Sequence, residues 1–388
     1  MGWRIRPPRA RSVLFTIVTL IACALGACWY AVHTQIIIIS MPAHAEYFFQ
    51  RATKKNIMLF WNGEQERTDC IWAESTQQNI ATITAAWLAY AQDDGHLDKH
   101  IALEMITLTP AGNEAFISFS RSLFESRWST RYRWQVLESL VATLRPLFPD
   151  LKLMRLLVRK QTWHDDHIDV TASLPVASCS TQDTQSEARL WPTRKHAYTV
   201  VLRPAGDKNN TGRVIAREFE RMLTRELAQR IKGPLEDTHR FNVIITHDIG
   251  HSIDQEEAAS LANRVHADAY IHLNCFESTQ MLPEIICAFP LYNPATDFWT
   301  KKRDSLSLKP IDKAYLHALT YSAGLCTALV DTLKQDYARR IFVSGPYGLP
   351  LTPLIGIQTP SCVIECGVQK PEQIEELARA IAQALLTD

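Results

Sequence analysis

From Tyr198 onward, short apolar runs alternate with longer stretches that carry an apolar residue at every fourth position, and this alternation restricts the fold more than any other feature. Val200-Val201-Leu202, Val243-Ile244-Ile245, Ala269–Leu273 and Cys362–Ile364 read as buried strands. Between them, Arg217–Ile231 places Phe219, Leu223, Leu227 and Ile231 on one stripe, as a helix with one buried face does. Asp254–Val265, Tyr315–Leu333 and Pro371–Leu386 read as further helices, with Pro371 suited to a first turn. Apolar strands interleaved with helices predict an α/β sheet covered by helices on both faces.

Upstream, the spacing predicts a second folded unit of α+β type over residues 56–176. Ile57–Trp61 is an apolar strand, Asn79–Tyr90 and Arg133–Leu147 have helical periodicity, and Ala115–Phe119 alternates like a strand. Leu151–Val158 and His167–Ala172 are expected to pair around a turn at Trp163–Asp166. His164-Asp165-Asp166-His167 gathers metal-ligating side chains, but turns favour Asp, and adjacent strand residues point to opposite faces, so a shared ion is disfavoured. Residues 177–195 are polar and read as a linker to the unit at 196–388.

The first 35 residues differ in kind. Arg4, Arg6, Arg9 and Arg11 precede Val13–Val32, which contains no charge. Twenty helical residues rise about 30 Å, enough to cross a hydrocarbon core, and the arginines would stay cytoplasmic. The alternatives are a cleaved signal peptide, or a lipoprotein modified at Cys23 or Cys28. Each delivers the body outside the cytoplasm, after a stalk at 36–55. Formal net charge is zero, which excludes the basic excess that nucleic-acid binding needs. Seven cysteines beyond the anchor are scattered, odd in number and without a CxxC pair, so they read as buried small hydrophobes and not as a disulfide framework or a thiolate metal site.

Leu59-Phe60-Trp61, Leu108-Thr109-Pro110, Glu114–Phe119, Glu138–Leu144 and Asp166–Val170 together resemble the GerMN domain of sporulation and cell-wall proteins. The resemblance implies a role in binding or assembly. In the second unit, Val200–Gly206, Asn242–Thr246, Leu261-Ala262-Asn263, Ala267–Asn274 and Cys362–Gly367 occur in the order found in zinc-dependent N-acetylmuramoyl-L-alanine amidases of the Amidase_3 type. That family cuts the bond between glycan and stem peptide in peptidoglycan.

Such chemistry needs zinc held by three protein ligands, with one position left for a water whose pKa falls to about 7. A carboxylate then serves as general base. By resemblance, the first ligand is a histidine in the loop after the first strand, where this chain has Gly206 within Arg203-Pro204-Ala205-Gly206-Asp207-Lys208. The second is a glutamate opening the next helix; matching apolar positions places Ala216 there, with Glu218 next in line. The third is a histidine at the end of a strand, where Asn274 stands. The catalytic glutamate is present as Glu365. Glycine and alanine offer no ligand, and a neutral amide is a poor one.

His272 shares the strand face of Asn274 but sits ~6.6 Å deeper. His247, Asp248 and His251 cluster in a loop after another strand, where sites often form in such sheets. Two readings follow. In one, no metal cofactor is held, and a groove with Arg203, Asp207, Lys208, Asn274 and Glu365 binds or scaffolds peptidoglycan or regulates a true amidase, with cell-wall or division proteins as possible partners. In the other, a remodelled zinc site built from His247, His251 or His272 supports hydrolysis with Glu365 as base.

Overall fold

The structure, a computed structural model, describes residues 53–176, 197–290 and 318–387. The expected anchor, the linker and Cys179 lie outside the described residues. Among the described residues, no helix is long and apolar enough to cross a membrane.

The described residues open on a tight hairpin. β1 (Thr53–Trp61) and β2 (Glu64–Trp72) form a two-stranded sheet across Asn62-Gly63, both at positive φ, as two-residue hairpin turns require. Thr53–Lys55, expected as the end of a stalk, already belong to β1. Ser75 caps α1 (Thr76–Asp93), its hydroxyl accepting from the Gln78 N–H. Ile80, Ile83, Trp87 and Ala91 then repeat at helical spacing and are fully buried. β3 (Leu103–Leu108), β4 (Glu114–Phe119), α2 (Thr130–Leu144), β5 (Leu153–Val158), β6 (Gln161–Thr162) and β7 (Leu174–Pro175) complete this part. β4 and β5 pair in parallel, while β3, β6 and β7 are antiparallel to their neighbours.

Residues 167–172 do not return to β5 as the spacing suggested. Leu174–Pro175 takes that edge, and Ile168 instead forms an antiparallel bridge with Leu351 in the second half of the chain.

The second half contains β8 (Tyr198–Pro204), β9 (Val214–Ile215), β10 (Glu218–Phe219), α3 (Glu220–Asp237), β11 (Phe241–Ile245), α4 (Gln255–Arg264), β12 (Ala269–Glu277) and β13 (Glu284–Pro290). After the undescribed stretch follow α5 (Leu319–Tyr337), β14 (Phe342–Leu349), β15 (Ser361–Val368) and α6 (Gln373–Leu386). Six strands make one sheet in the order β11-β8-β12-β15-β13-β14, parallel except where β13 meets β15.

Period-two alternation assigns the faces of this sheet. Val200, Leu202, Ile271, Leu273, Ile364 and Cys366 point to one side and pack with α3, α5 and α6. Val201, Tyr270 and Val363 point to the other, where Ala259 and Ala262 of α4 meet them. Helices alone do not cover this second face. Its buried side chains are continuous with the core of residues 53–176, through Leu349, Leu351, Leu354 and Ile168. The sheet is therefore completed on one side by the first half of the chain, and the described residues from Lys54 onward belong to one compact unit.

Candidate functional site

The face that meets the first half of the chain turns polar at the carboxyl ends of the strands. Register aligns Val201 with Tyr270, His272 with both Arg203 and Val363, and Asn274 with Glu365, so these residues share one face. Moving along it from Val201, Tyr270 and Val363, the side chains become Arg203, His272, Asn274 and Glu365. A cavity of about 540 Å³ opens there. Arg203, Gly206, Asp207, Arg213, Glu220, His247, His272 and Asn274 line one side; Phe124, Arg133 and His164–His167 line the other.

Glu365 is 1% exposed and does not itself line this cavity. Its Oε1 accepts from Arg213 Nη1 at 3.0 Å, and its Oε2 accepts from the Thr130 backbone N–H at 2.7 Å. Arg213, 4% exposed, sits just before β9, and its Nη1 also donates to the Cys275 carbonyl at 2.7 Å. Glu220, the first residue of α3 and 1% exposed, accepts from the backbone N–H groups of Arg213 at 3.0 Å and Cys275 at 2.9 Å. Its Oε1 lies 3.9 Å from Arg213 Nη1. One guanidinium thus stands between two buried carboxylates. Burial works against the charge of Arg213, but Glu220 and Glu365 outweigh it and its pKa rises.

The glutamate that opens the helix is therefore Glu220. Ala216 lies four residues earlier in a turn, at φ 49°, and Glu218 is exposed in β10. Gly206 is held at φ +74°, and a Cβ there would meet Arg221 Cβ at 2.8 Å and the Asn210 carbonyl at 3.0 Å. A histidine at this position would be strained and would crowd Arg221 and the Asn210 carbonyl. Asn274 is 1% exposed; neither its Oδ1 nor its Nδ2 makes a well-formed hydrogen bond to protein, and the same is true of His272 Nδ1 and Arg213 Nε and Nη2.

The other expected residues are occupied differently. Asp207 organises its own loop, accepting from the backbone N–H groups of Asn209, Asn210 and Ile253. Burial raises its pKa, but these three donors together outweigh it and hold the carboxyl below its usual range. Lys208 is exposed and off the cavity, whereas Arg203 lines it and donates to Gln255.

The histidines put forward for a remodelled metal site do not converge. His247 has both ring nitrogens engaged, with Thr246 Oγ1 at 2.8 Å from Nδ1 and the Gly206 carbonyl accepting from Nε2 at 2.8 Å. His251 is exposed beside Asp248 in a separate groove, and Asp248 pairs with Arg225. Burial, reinforced by Arg203, pushes the pKa of His272 well below its usual value. In the 164–167 turn, Asp165 Oδ1 accepts from the N–H groups of His167 and Ile168, and its Oδ2 pairs with Arg133. Among the described residues, no three His, Cys, Asp or Glu side chains converge to hold a metal ion. The six described cysteines are buried and unpaired, and burial raises the thiol pKa values of Cys275, Cys326 and Cys362.

Residues 200–387 match the N-acetylmuramoyl-L-alanine amidase family model. Solved structures of such amidases are similar to this chain. The enzyme from Clostridium difficile 630 shares 18% identity, covering 49% of this chain and 96% of its own, with a TM-score of 0.35. Ami1 of Mycobacterium smegmatis shares 14% identity over 50% of this chain and 97% of its own, with a TM-score of 0.33. AmiC2 of Nostoc punctiforme shares 16% identity over 49% and 95%, with a TM-score of 0.32. No curated protein matches the chain.

Zinc is the cofactor the resemblance implies, and the residues of this amidase-like domain do not fit it. Position 206 carries no ligand, Asn274 is a poor one, and Arg213 brings a positive charge against both Glu220, the one carboxylate left to ligate, and Glu365, the general-base position.

Proposed function

We propose that the chain is a cell-envelope protein that uses a metal-free amidase-like domain to bind or scaffold peptidoglycan, not to cut it. The observation that carries this reading is the Arg213 guanidinium between Glu220 and Glu365. A general base must reach a water. Here Glu365 is sealed from the cavity, with one oxygen on Arg213 and the other on Thr130. What remains accessible is a polar hollow of about 540 Å³, a size typical of ligand sites. Arginine, histidine, asparagine and aspartate side chains line it, and these suit the hydroxyls, amides and carboxylates of a muropeptide. The GerMN-like first half of the chain supports the same wall-facing role, as does an N-terminal sequence suited to membrane anchorage with both folded parts outside the cytoplasm.

The test is a pair of assays on the full-length protein. Sedimentation with purified sacculi should retain it, and incubation with muropeptides, with and without added zinc, should release no stem peptide. Zinc-dependent release that disappears in Glu365→Gln would overturn the non-catalytic reading. Failure to sediment with sacculi would overturn the binding reading.

A further inference from the structure

The oxygens of Glu365 look in two directions along the chain. Oε1 is held from within the amidase-like half by Arg213, while Oε2 is held by Thr130, 235 residues away in the first half. Thr130 is the first residue of α2, and its N–H is one of the donors a helix cannot satisfy internally. Ser129 Oγ takes the Tyr132 N–H at 3.1 Å, and Glu365 takes that of Thr130. The positive end of the α2 dipole thus rests on a buried carboxylate, an arrangement that stabilises both. On the other flank, Glu220 joins two backbone N–H groups, from the loop before β9 and from β12. Two buried carboxylates stay charged only if a cation compensates them, and the Arg213 guanidinium, which faces both, supplies that cation covalently.

We propose that Arg213 is a built-in replacement for the active-site metal, and that Glu365 has become the joint through which the first half of the chain docks on the amidase-like half. The proposal rests on the metal-free reading above but not on what the cavity binds. Under it, the two acidic residues persist because the fold requires them. Without Arg213 they would repel each other; without Glu365 the first turn of α2 would lose its acceptor. Nearby contacts point the same way: Thr352 N–H donates to the His167 carbonyl at 3.2 Å, Asp169 N–H to the Pro350 carbonyl at 2.8 Å, and Arg131 lies 4.4 Å over the Tyr347 ring.

Hydrogen–deuterium exchange on the full-length protein tests the joint. Glu365→Gln preserves shape but removes the charge and one of the two acceptor oxygens. Peptides covering residues 128–133 should exchange at least tenfold faster in the variant, while α1 peptides keep their wild-type rate. Unchanged exchange at 128–133 would sink the joint. Thermal unfolding tests the cation: Arg213→Met should lower the melting temperature, and adding Glu365→Gln to it should restore part of the loss. A double variant no more stable than the single one would show that Arg213 is not the counter-ion. If Arg213→Met fails to fold, folding of the double variant is the supporting result. Stoichiometric zinc in the purified wild-type protein, with melting lowered by a chelator, would overturn the replacement directly. Sacculus retention on the same preparations is read separately, and its loss with the joint intact counts only against the binding role.

Discussion

Glu220 sits three residues before Leu223 and seven before Leu227, on the buried stripe of α3. A carboxylate on an apolar stripe is an informative exception, and it is visible in the sequence; aligning the stripe one turn too early leads to Ala216 instead. Arg213 carries no such signal, because a loop residue meets Glu365 across 152 residues of chain. His167 is a similar case and has a measurable consequence. Arg133 Nη1 lies 3.2 Å from His167 Nδ1. A guanidinium only donates, so that nitrogen accepts and the ring is neutral. Burial, followed by Arg213 and Arg133, holds its pKa well below the usual 6.5. Below about pH 6.5 the unfolded chain therefore binds a proton that the folded one refuses, and stability falls with acidification until the folded-state pKa is reached. His272 is depressed in the same way. Unfolding free energies from urea titrations should decline from pH 7 to pH 5, and His167→Gln should reduce that slope by up to about 1.4 kcal/mol per pH unit. An unchanged slope would show that His167 titrates normally in the fold.

Among the elements, those with strong periodicity were legible: β8, β11, β12 and β15, and helices α1, α2, α3 and α6, lie close to where apolar spacing puts them. β13 and β14 were not. β14 contains Gly345 and Pro346, which lack the apolar pattern of a strand, and Gly345 is needed because a Cβ there would collide with the Cys287 carbonyl, beside the register shift between Ile286 and Ala288. The segment 167–172 misled for a different reason. Its pattern fits a hairpin strand, but its bridging partner, Leu351, is remote in sequence, and local spacing cannot report a remote partner. Ile168 is fully buried at that bridge, continuous with the core on both sides of the joint. Ile168→Ala should cost about 2–5 kcal/mol, the range for truncating a buried isoleucine. The loss should appear equally by tryptophan fluorescence, which weights the first half of the chain, and by circular dichroism of the whole. A cost below about 0.5 kcal/mol, the scale of surface substitutions, would mean the bridge is peripheral.

For the whole molecule, the sequence divides into two units at a polar linker, whereas the packing joins them. The composition of 177–195 reads as a linker between separate units, and composition cannot show that the sheet face carrying Val201, Tyr270, Ala288 and Val363 shares one core with residues 53–176. Strands buried on both faces read alike whether a helix or another part of the chain covers them. The consequence is cooperative folding. If the first half were removed, Leu349, Leu351 and Leu354, each at most 4% exposed, would lose much of their cover. The Glu365 carboxylate would lose the Thr130 N–H as well. An exposed apolar patch of that kind promotes association and weakens the native state. A fragment of residues 197–388 should therefore bind a hydrophobic dye, melt well below the intact protein and self-associate on a sizing column. The intact protein should unfold in a single calorimetric transition whose van't Hoff and calorimetric enthalpies agree. If the fragment instead remains monomeric with an unchanged melting temperature, the two halves are independent modules and the sheet face does not depend on its partner.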